Sequence, residues 1–214
     1  MEIIRLHDTL PKVFSSRTDV NSEVWKQEVV LEKGKTYLIE ANSGTGKSSL
    51  CSYIYGYRKD YDGSIFFDQT DISTLSISQW VGIRQRSISL LWQELRLFPE
   101  LTAWENIEIK NRITRQQTIN QIDEWFDRLG IADRKHSLIG RMSFGQQQRV
   151  ALIRALCQPF DFIFADEPIS HLDDNNSQIM GEILTAEARK QGAGVIITSI
   201  GKHIMLDYDK TLRL

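Results

Sequence analysis

Two cysteines in 214 residues leave no room for a disulfide framework. Cys51 and Cys157 each sit in an apolar helical pattern, so reduced, buried thiols of a cytosolic protein are expected rather than a bridge. Long apolar runs are missing too. Runs such as Phe162-Ile163-Phe164-Ala165 are of buried-strand length, far short of the roughly 20 residues a membrane-spanning helix needs. The chain itself is therefore expected not to cross a membrane. Its opening Met1-Glu2-Ile3-Ile4-Arg5-Leu6-His7-Asp8 lacks the apolar core of a signal peptide. Neither sign of charge is in excess. A net charge of −2 gives no bulk attraction to nucleic acid or anionic membrane. Repeats and low-complexity tracts are absent. What remains, 41% hydrophobic and 25% charged, suits one domain of two lobes or two small domains.

One stretch organises the rest: Glu40-Ala41-Asn42-Ser43-Gly44-Thr45-Gly46-Lys47-Ser48-Ser49. It follows the β-branched and aromatic run Thr36-Tyr37-Leu38-Ile39 and precedes Leu50-Cys51-Ser52-Tyr53-Ile54, which has helical apolar spacing. Strand, small-residue loop and helix form the context of a phosphate-binding P-loop. Backbone N–H groups of such a loop turn inward, and the helix starting near Lys47 adds its positive dipole end. Lys47 supplies a mobile charge for the outer phosphates, and the Ser48 hydroxyl can ligate Mg²⁺. The pattern G-x-x-x-x-G-K-[ST] is one residue short here, because Ala41 stands at its first position. For this stretch alone, a chance Gly/Ser turn is the competing reading.

Glu2–Leu6 and Glu23–Leu31 read as strands around polar turn residues Ser15–Ser22. Gly34 marks a turn before the strand that feeds the loop. After the loop's helix, Asp60-Tyr61-Asp62-Gly63 reads as a turn, Ser64-Ile65-Phe66-Phe67 as a strand, and Ile88–Trp92 as a further apolar run. From about Phe98 to Arg141 the pattern turns helical. Thr102 is placed to cap a helix through Trp104, Ile107 and Ile109, and Ile119, Ile122, Phe126 and Leu129 outline an amphipathic helix closed by Gly130. Strand alternation returns at Phe162. An amphipathic helix carrying Ile179, Met180, Ile183 and Leu184 leads to the strand Gly194–Thr198, and Thr211–Leu214 is expected to be the last strand, with no further domain beyond it.

The hydrophobic strand Phe162–Ala165 ends in Asp166-Glu167-Pro168. In a parallel sheet, functional groups gather beyond the carboxyl ends of strands, where the loop at 41–49 also lies. Asp166 can hold the Mg²⁺ shell, and Glu167 is placed to polarise an attacking water. A strand followed by an acidic turn is the plainer reading, and the P-loop at this separation argues against it. Arg141-Met142-Ser143-Phe144-Gly145-Gln146-Gln147-Gln148-Arg149 then opens a helix through Val150, Ile153 and Leu156, where Ser143 would also serve as a simple cap.

With these residues the chain resembles the ATP-binding cassette (ABC) ATPases, whose signature LSGGQ is matched by Met142-Ser143-Phe144-Gly145-Gln146. Gln93 in Leu91-Trp92-Gln93-Glu94 matches the family's Q-loop. Leu97-Phe98-Pro99-Glu100-Leu101-Thr102-Ala103-Trp104-Glu105-Asn106-Ile107 resembles its LFP-x-LT-x-x-EN segment, and Ser170-His171-Leu172-Asp173 its D-loop. The wording is nearest to the cell-division, lipoprotein-release and macrolide-export ATPases. Phe14 stands where the family places the aromatic that stacks on adenine; a strand-end Phe in the core fits equally well.

The resemblance implies an α/β fold: a P-loop NTPase with a RecA-like core, an antiparallel β layer and an inserted helical subdomain. A single domain over 1–214 would divide into RecA-like and β parts at about 1–92 and 158–214 and a helical subdomain at about 93–157. ATP and Mg²⁺ are the implied ligands. Residues 41–49 and Phe14 would hold the nucleotide; Ser48, Gln93 and Asp166 the metal; Glu167, Gln93 and Ser199 would serve catalysis. Ser143, Phe144, Gly145 and Gln146 would reach the γ-phosphate bound by another copy, or by a related cassette, giving a head-to-tail dimer with composite sites. An integral membrane permease docked near Gln93–Thr102 would hold the chain at the inner face of the cell membrane, and no nucleic acid is expected. Three positions depart from the family: Ala41, Phe144, and Ser199 in place of the switch histidine. His203 is expected on the surface of a following helix. These departures keep open a regulatory switch with slow hydrolysis. A soluble ABC protein acting on nucleic acid or ribosomes would call for tandem cassettes or a basic patch, and neither is present.

Overall fold

A computed structural model of the chain describes residues 1–17 and 20–214. The chain runs through β1 (Ile3–Pro11), β2 (Glu28–Glu32), β3 (Thr36–Glu40), α1 (Lys47–Ile54), β4 (Tyr61–Phe67), β5 (Thr70–Asp71), α2 (Ile77–Arg86) and β6 (Ile88–Leu91). It continues through α3 (Ala103–Thr114), α4 (Ile119–Arg128), α5 (Phe144–Leu156), β7 (Phe162–Asp166), α6 (Asp174–Gln191), β8 (Gly194–Ser199) and β9 (Lys210–Arg213). The strands divide between two sheets. One is antiparallel with order β2-β1-β4-β5, and the other is parallel with order β6-β7-β8-β3-β9.

Burial follows from that division. In β2, Val29 and Leu31 point inward while Glu28, Val30 and Glu32 face out, as an antiparallel sheet with one wet face requires. Strands β7 and β8 are buried at every position, and successive side chains point to opposite faces. Phe162, Phe164 and Ile196 therefore pack with Ile4, Leu6, Trp25 and Tyr53 between the two sheets. Ile163, Val195 and Ile197 pack on the other face with Phe126, Val150, Ile153 and Ile183. Each fully buried Phe or Ile contributes about 1.5–3 kcal/mol. No helix among the described residues is long and apolar enough to cross a membrane.

The register sets the site. Glu40 lies opposite Ser199, and Thr198 opposite Asp166, so β3, β8 and β7 end level. The α/β architecture expected from the sequence is present, and both cysteines are buried and unpaired.

Several local expectations change. Glu23–Gln27 is not strand. The Ser22 hydroxyl accepts from the backbone N–H groups of Val24 and Trp25 at 3.0 and 2.9 Å, folding a turn that buries both side chains. Of the polar turn Ser15–Ser22, Thr18 and Asp19 lie outside the described residues. Tyr61–Gly63 belongs to β4 rather than to a turn, because β1 shifts register between His7 and Leu10 and keeps pairing with it. Ile119 is exposed while Ile122, Phe126 and Leu129 are buried, so the apolar stripe of α4 starts one turn late. No helix follows Ser199; His203 lies in an irregular segment that runs to β9. The last strand is Lys210–Arg213 rather than Thr211–Leu214.

Gly63 has φ +84°, and a Cβ there would stand 2.3 Å from the Asp8 carbonyl oxygen. Gly63→Ala should destabilise the chain by about 1–3 kcal/mol, read as a lower urea midpoint with unchanged slope. A midpoint equal to that of the parent would show that the two strands yield at this crossing.

Candidate functional site

The level strand ends carry the groups the sequence singled out. Past Glu40, the Ala41 N–H donates to the Ser199 carbonyl at 3.1 Å, tying the loop's base to β8. The Asn42 carbonyl accepts from the Thr45 hydroxyl at 2.8 Å and from Lys47 Nζ at 3.2 Å. Gly44 and Gly46 take φ +79° and +104°, a region that only glycine enters freely. At Gly46 a Cβ would also meet Trp25 at 3.1 Å and Phe14 at 3.2 Å. Trp25 Nε1 donates to the Thr45 carbonyl at 2.9 Å. The loop is thus bonded from below and walled by two aromatic rings.

Among the described residues, α2 to α6 each begin on a side-chain cap: Ser76, Thr102, Thr118, Ser143 and Asp173. Helix α1 begins on Gly46 with none. Its first N–H groups are left to an outside acceptor, with the positive dipole end behind them.

Facing that helix start is Glu167, a non-glycine residue at φ +50°. Its N–H donates to the Thr198 carbonyl (3.2 Å) and hydroxyl oxygen (3.3 Å). The same Thr198 hydroxyl donates to Asp166 Oδ1 at 2.5 Å. Lys47 Nζ lies 3.4 Å from Glu167 Oε1, with side-chain exposures of 5% and 12%. Gln93, just past β6, accepts from the Ser48 hydroxyl at 3.4 Å and donates through Nε2 to Glu167 Oε2 at 3.5 Å. These are long contacts, open to an inserted oxygen. Behind α1's first turn, burial and then the Asp166 carboxylate push the Cys51 thiol well above its ordinary range, so it stays a protonated core group.

A cavity of about 470 Å³ is lined by Phe14, Ser43, Gly44, Gly46, Lys47, Ser48, Ser49, Gln93 and Glu167, together with Val13, Arg17 and Ile200. Phe14 is a core residue that also borders the cavity. It is 6% exposed in the core between the sheets, its ring lies 4.3 Å from the Arg17 guanidinium carbon, and it walls the cavity. Thr45 instead lines an adjoining space with Phe14 and Trp25.

Other expected residues are elsewhere. Asp166 is buried behind the cavity rather than on its wall. Ser199 is 2% exposed, its hydroxyl donates to the Lys202 carbonyl, and its neighbour Ile200 takes the place on the wall. His203 stacks edge-on with Tyr208 at 6.2 Å and is not on the wall either. None of Ser143, Phe144, Gly145 and Gln146 reaches the cavity. Ser143 caps α5 reciprocally with Gln146, the Phe144 ring meets His171 edge-on at 4.4 Å, and Gly145 passes under the His171 carbonyl. Sequence reading missed Trp25 and Thr198. A tryptophan three residues after a turn-forming serine was a usable signal for the first; the second had none.

Residues 26–170 match the family described as ABC transporter. The chain is 30% identical over 185 residues to the lipoprotein-releasing system ATP-binding protein LolD of Koribacter versatilis, covering 85% of this chain and 83% of that one. It is 29% identical over 190 residues to the macrolide export ATP-binding/permease protein MacB of Shewanella sp., covering 86% of this chain and 28% of that longer protein. Its fold is similar to that of MJ0796, a bacterial ABC transporter cassette solved as a dimer, with a TM-score of 0.77 and 23% identity over 92% of this chain and 87% of that one.

Because one buried hydroxyl serves both acidic residues, Thr198→Val should leave Asp166 short of a donor and the Glu167 N–H with the backbone carbonyl alone. A loss of about 1–3 kcal/mol in unfolding free energy is expected, with Thr198→Ser recovering most of it. Equal stability of the valine variant would show that the threonine acts by shape alone.

Proposed function

We propose that this chain, which belongs to the ABC transporter family, is the ATP-binding and ATP-hydrolysing subunit of a membrane transporter. The observation that carries the reading is the meeting of Lys47, Ser48, Gln93 and Glu167 on one cavity at the uncapped start of α1. A polyphosphate supplies what that helix start lacks, namely acceptors for its N–H groups and negative charge for its dipole. Lys47 then exchanges the Asn42 carbonyl and the Glu167 carboxylate for phosphate oxygens. Phe14 and Arg17 form the wall on which the base rests.

The donor set fits Mg²⁺. Ser48 and Gln93 present neutral oxygens 3.4 Å apart, and Asp166, at the end of β7, would add the negative charge, a set that suits a hard cation that keeps its waters. The ion would supply charge neutralisation at the outer phosphates. Glu167 accepts the proton of the attacking water, and Gln93 holds that carboxylate in place through its amide. Ser143–Gln146 lies off the cavity, so it meets nucleotide only from a second cassette, related head to tail. ATP then bridges two chains, and loss of the γ-phosphate separates them. The helices of about 93–157 form the subdomain turned toward an integral membrane permease, which holds the chain at the inner face of the membrane.

Ser199 favours a second reading, a regulatory switch with slow hydrolysis. Its hydroxyl is engaged by Lys202, so no switch group reaches the phosphate from β8.

Binding of a fluorescent ATP analogue tests the site. Lys47→Ala should weaken it about 10–100-fold; unchanged affinity would place the nucleotide elsewhere.

Glu167→Gln should slow turnover about 10²–10⁴-fold and trap an ATP-dependent dimer on size-exclusion chromatography. Adding Ser143→Arg should abolish that dimer. A dimer that survives the arginine is not built on α5.

Ser199→His separates the two readings. If the missing imidazole limits turnover, the single-turnover rate should rise by about 10²–10³ with ATP affinity unchanged. A rate indifferent to this change but abolished by His203→Ala would move the switch to His203.

A further inference from the structure

The loop that follows the two acidic residues carries an imidazole that the chain's own cavity does not use. His171 is exposed and is not among the residues of the cavity wall. Its contacts run to the start of α5 instead. The Phe144 ring meets it edge-on at 4.4 Å, and a Cβ on Gly145 would stand 3.2 Å from the His171 carbonyl oxygen. A third link passes through Ser170. The Ser170 hydroxyl accepts from Gln148 Nε2, on α5, at 3.2 Å and lies 2.9 Å from His171 Nδ1. Gln148 is 1% exposed, so this link is anchored in the core. Ring, loop and first turn of α5 therefore move as one body.

The same links assign the tautomer. A hydroxyl has one proton to give. Since Ser170 already accepts from Gln148, its proton goes to Nδ1, and the imidazole keeps its own N–H at Nε2. Among the described residues no acceptor meets that N–H. A neutral donor is thus held, oriented and unspent, beside the Ser143 cap, where Ser143 and Phe144 are also exposed. The cavity lacks this kind of group. Lys47, Ser48 and Gln93 approach it from α1 and β6, while the Ser199 hydroxyl on β8 is spent on the Lys202 carbonyl.

We infer that His171 serves the nucleotide of a second copy: carried in with the start of α5, its Nε2–H donates to an outer phosphate oxygen of the ATP on the other chain's P-loop. The inference rests on the head-to-tail reading above and adds a catalytic group acting across the interface. In the step itself, the water oxygen bonds to the γ-phosphorus and its proton passes to Glu167. The bond to the bridging oxygen breaks, and its electron pair leaves with ADP. His171 transfers no proton; it steadies the charge spread over the phosphoryl oxygens from a fixed position. Two unusual residues then share one explanation. Phe144 walls the ring where a glycine would leave it loose, and Ser199 can be spent on Lys202 because the imidazole arrives from across the interface.

Single-turnover hydrolysis of Mg·ATP by the full chain is the test. His171→Ala should slow it about 10²–10³-fold, and His171→Gln, which keeps a donor, should recover part of the loss. Melting temperatures confirm that both variants are folded. Adding His171→Ala to Glu167→Gln should leave the ATP-dependent dimer intact. Chains carrying Glu167→Gln alone and His171→Ala alone are each slow. Mixed one to one, half of their dimers are mixed, and each of these has one site with Glu167 and a His171 from the other chain, so about a quarter of all sites should hydrolyse at the parent rate. No recovery on mixing would overturn the action across the interface. Parent-rate hydrolysis by His171→Ala, with the Glu167→Gln dimer formed, would sink the inference and leave the head-to-tail reading standing. If Glu167→Gln forms no dimer with ATP, that reading fails and takes this one with it. Loss of the dimer in the double variant would make His171 an assembly contact and likewise overturn the proposal.

Discussion

Two rungs of a parallel sheet fix nearly everything at the candidate site. Glu40 faces Ser199, and Thr198 faces Asp166. Because parallel strands cannot slip by one residue without turning every side chain to the other face, these rungs are locked by the cores on both sides of β7 and β8. Phe162 and Phe164 fill one face and Ile163 the other. The Ala41–Ser199 bond then sets the height of the loop, and Thr198 sets that of both carboxylates. Loop and acidic residues are placed against each other by backbone pairing, with few side-chain contacts between them.

That economy leaves an electrostatic imbalance in the centre. Lys47 is nearly buried, and its anionic partner is Glu167. The ammonium is held by one carbonyl and one carboxylate, while an uncapped helix start and a loop with two left-handed glycines add positive potential around it. A buried ion pair is seldom a net source of stability. Here its long contacts make both partners easy to draw away, the lysine by an anion and the carboxylate by a proton donor.

How much of this could be read from the chain follows the range of each interaction. The loop, the acidic strand end and the capped starts of α3 and α5 are local patterns, fixed by glycine, by β-branched runs and by Ser/Thr three residues before Glu or Gln; each appears where the sequence placed it. What escaped depends on distant partners. Trp25 looks like a strand residue until Ser22 caps the turn beneath it and Thr45, 20 positions on, accepts its N–H. Thr198 is one more β-branched residue until Asp166 comes alongside. Tyr61–Gly63 carries turn chemistry, yet the left-handed glycine serves a strand crossing because Asp8 yields on the other side. Ser199 was found by register with a family pattern, and the pattern could not say that its hydroxyl would turn back onto Lys202.

The aromatic cluster of Tyr55, Tyr57 and Trp92 adjoins the cavity through the chain itself. Trp92 carries the Arg96 guanidinium, and the next residue, Gln93, holds Ser48 and Glu167. One peptide bond separates that ring from the amide that contacts the acid. The turn between them is stiff: Leu95 N–H bonds back to the Trp92 carbonyl at 3.0 Å, and Arg154 pins the Leu95 carbonyl from α5. Helix α5 also begins at Ser143, which lies off the cavity. Trp92 is thus tied along the chain to Gln93 and, through Leu95, to the 13-residue helix α5. Both contacts of Gln93 are at the long end of hydrogen bonding, so a shift of a few tenths of an ångström there is enough to make or break them. One amide thus holds both the α1 hydroxyl and the acidic strand end, and a small displacement of it would loosen both.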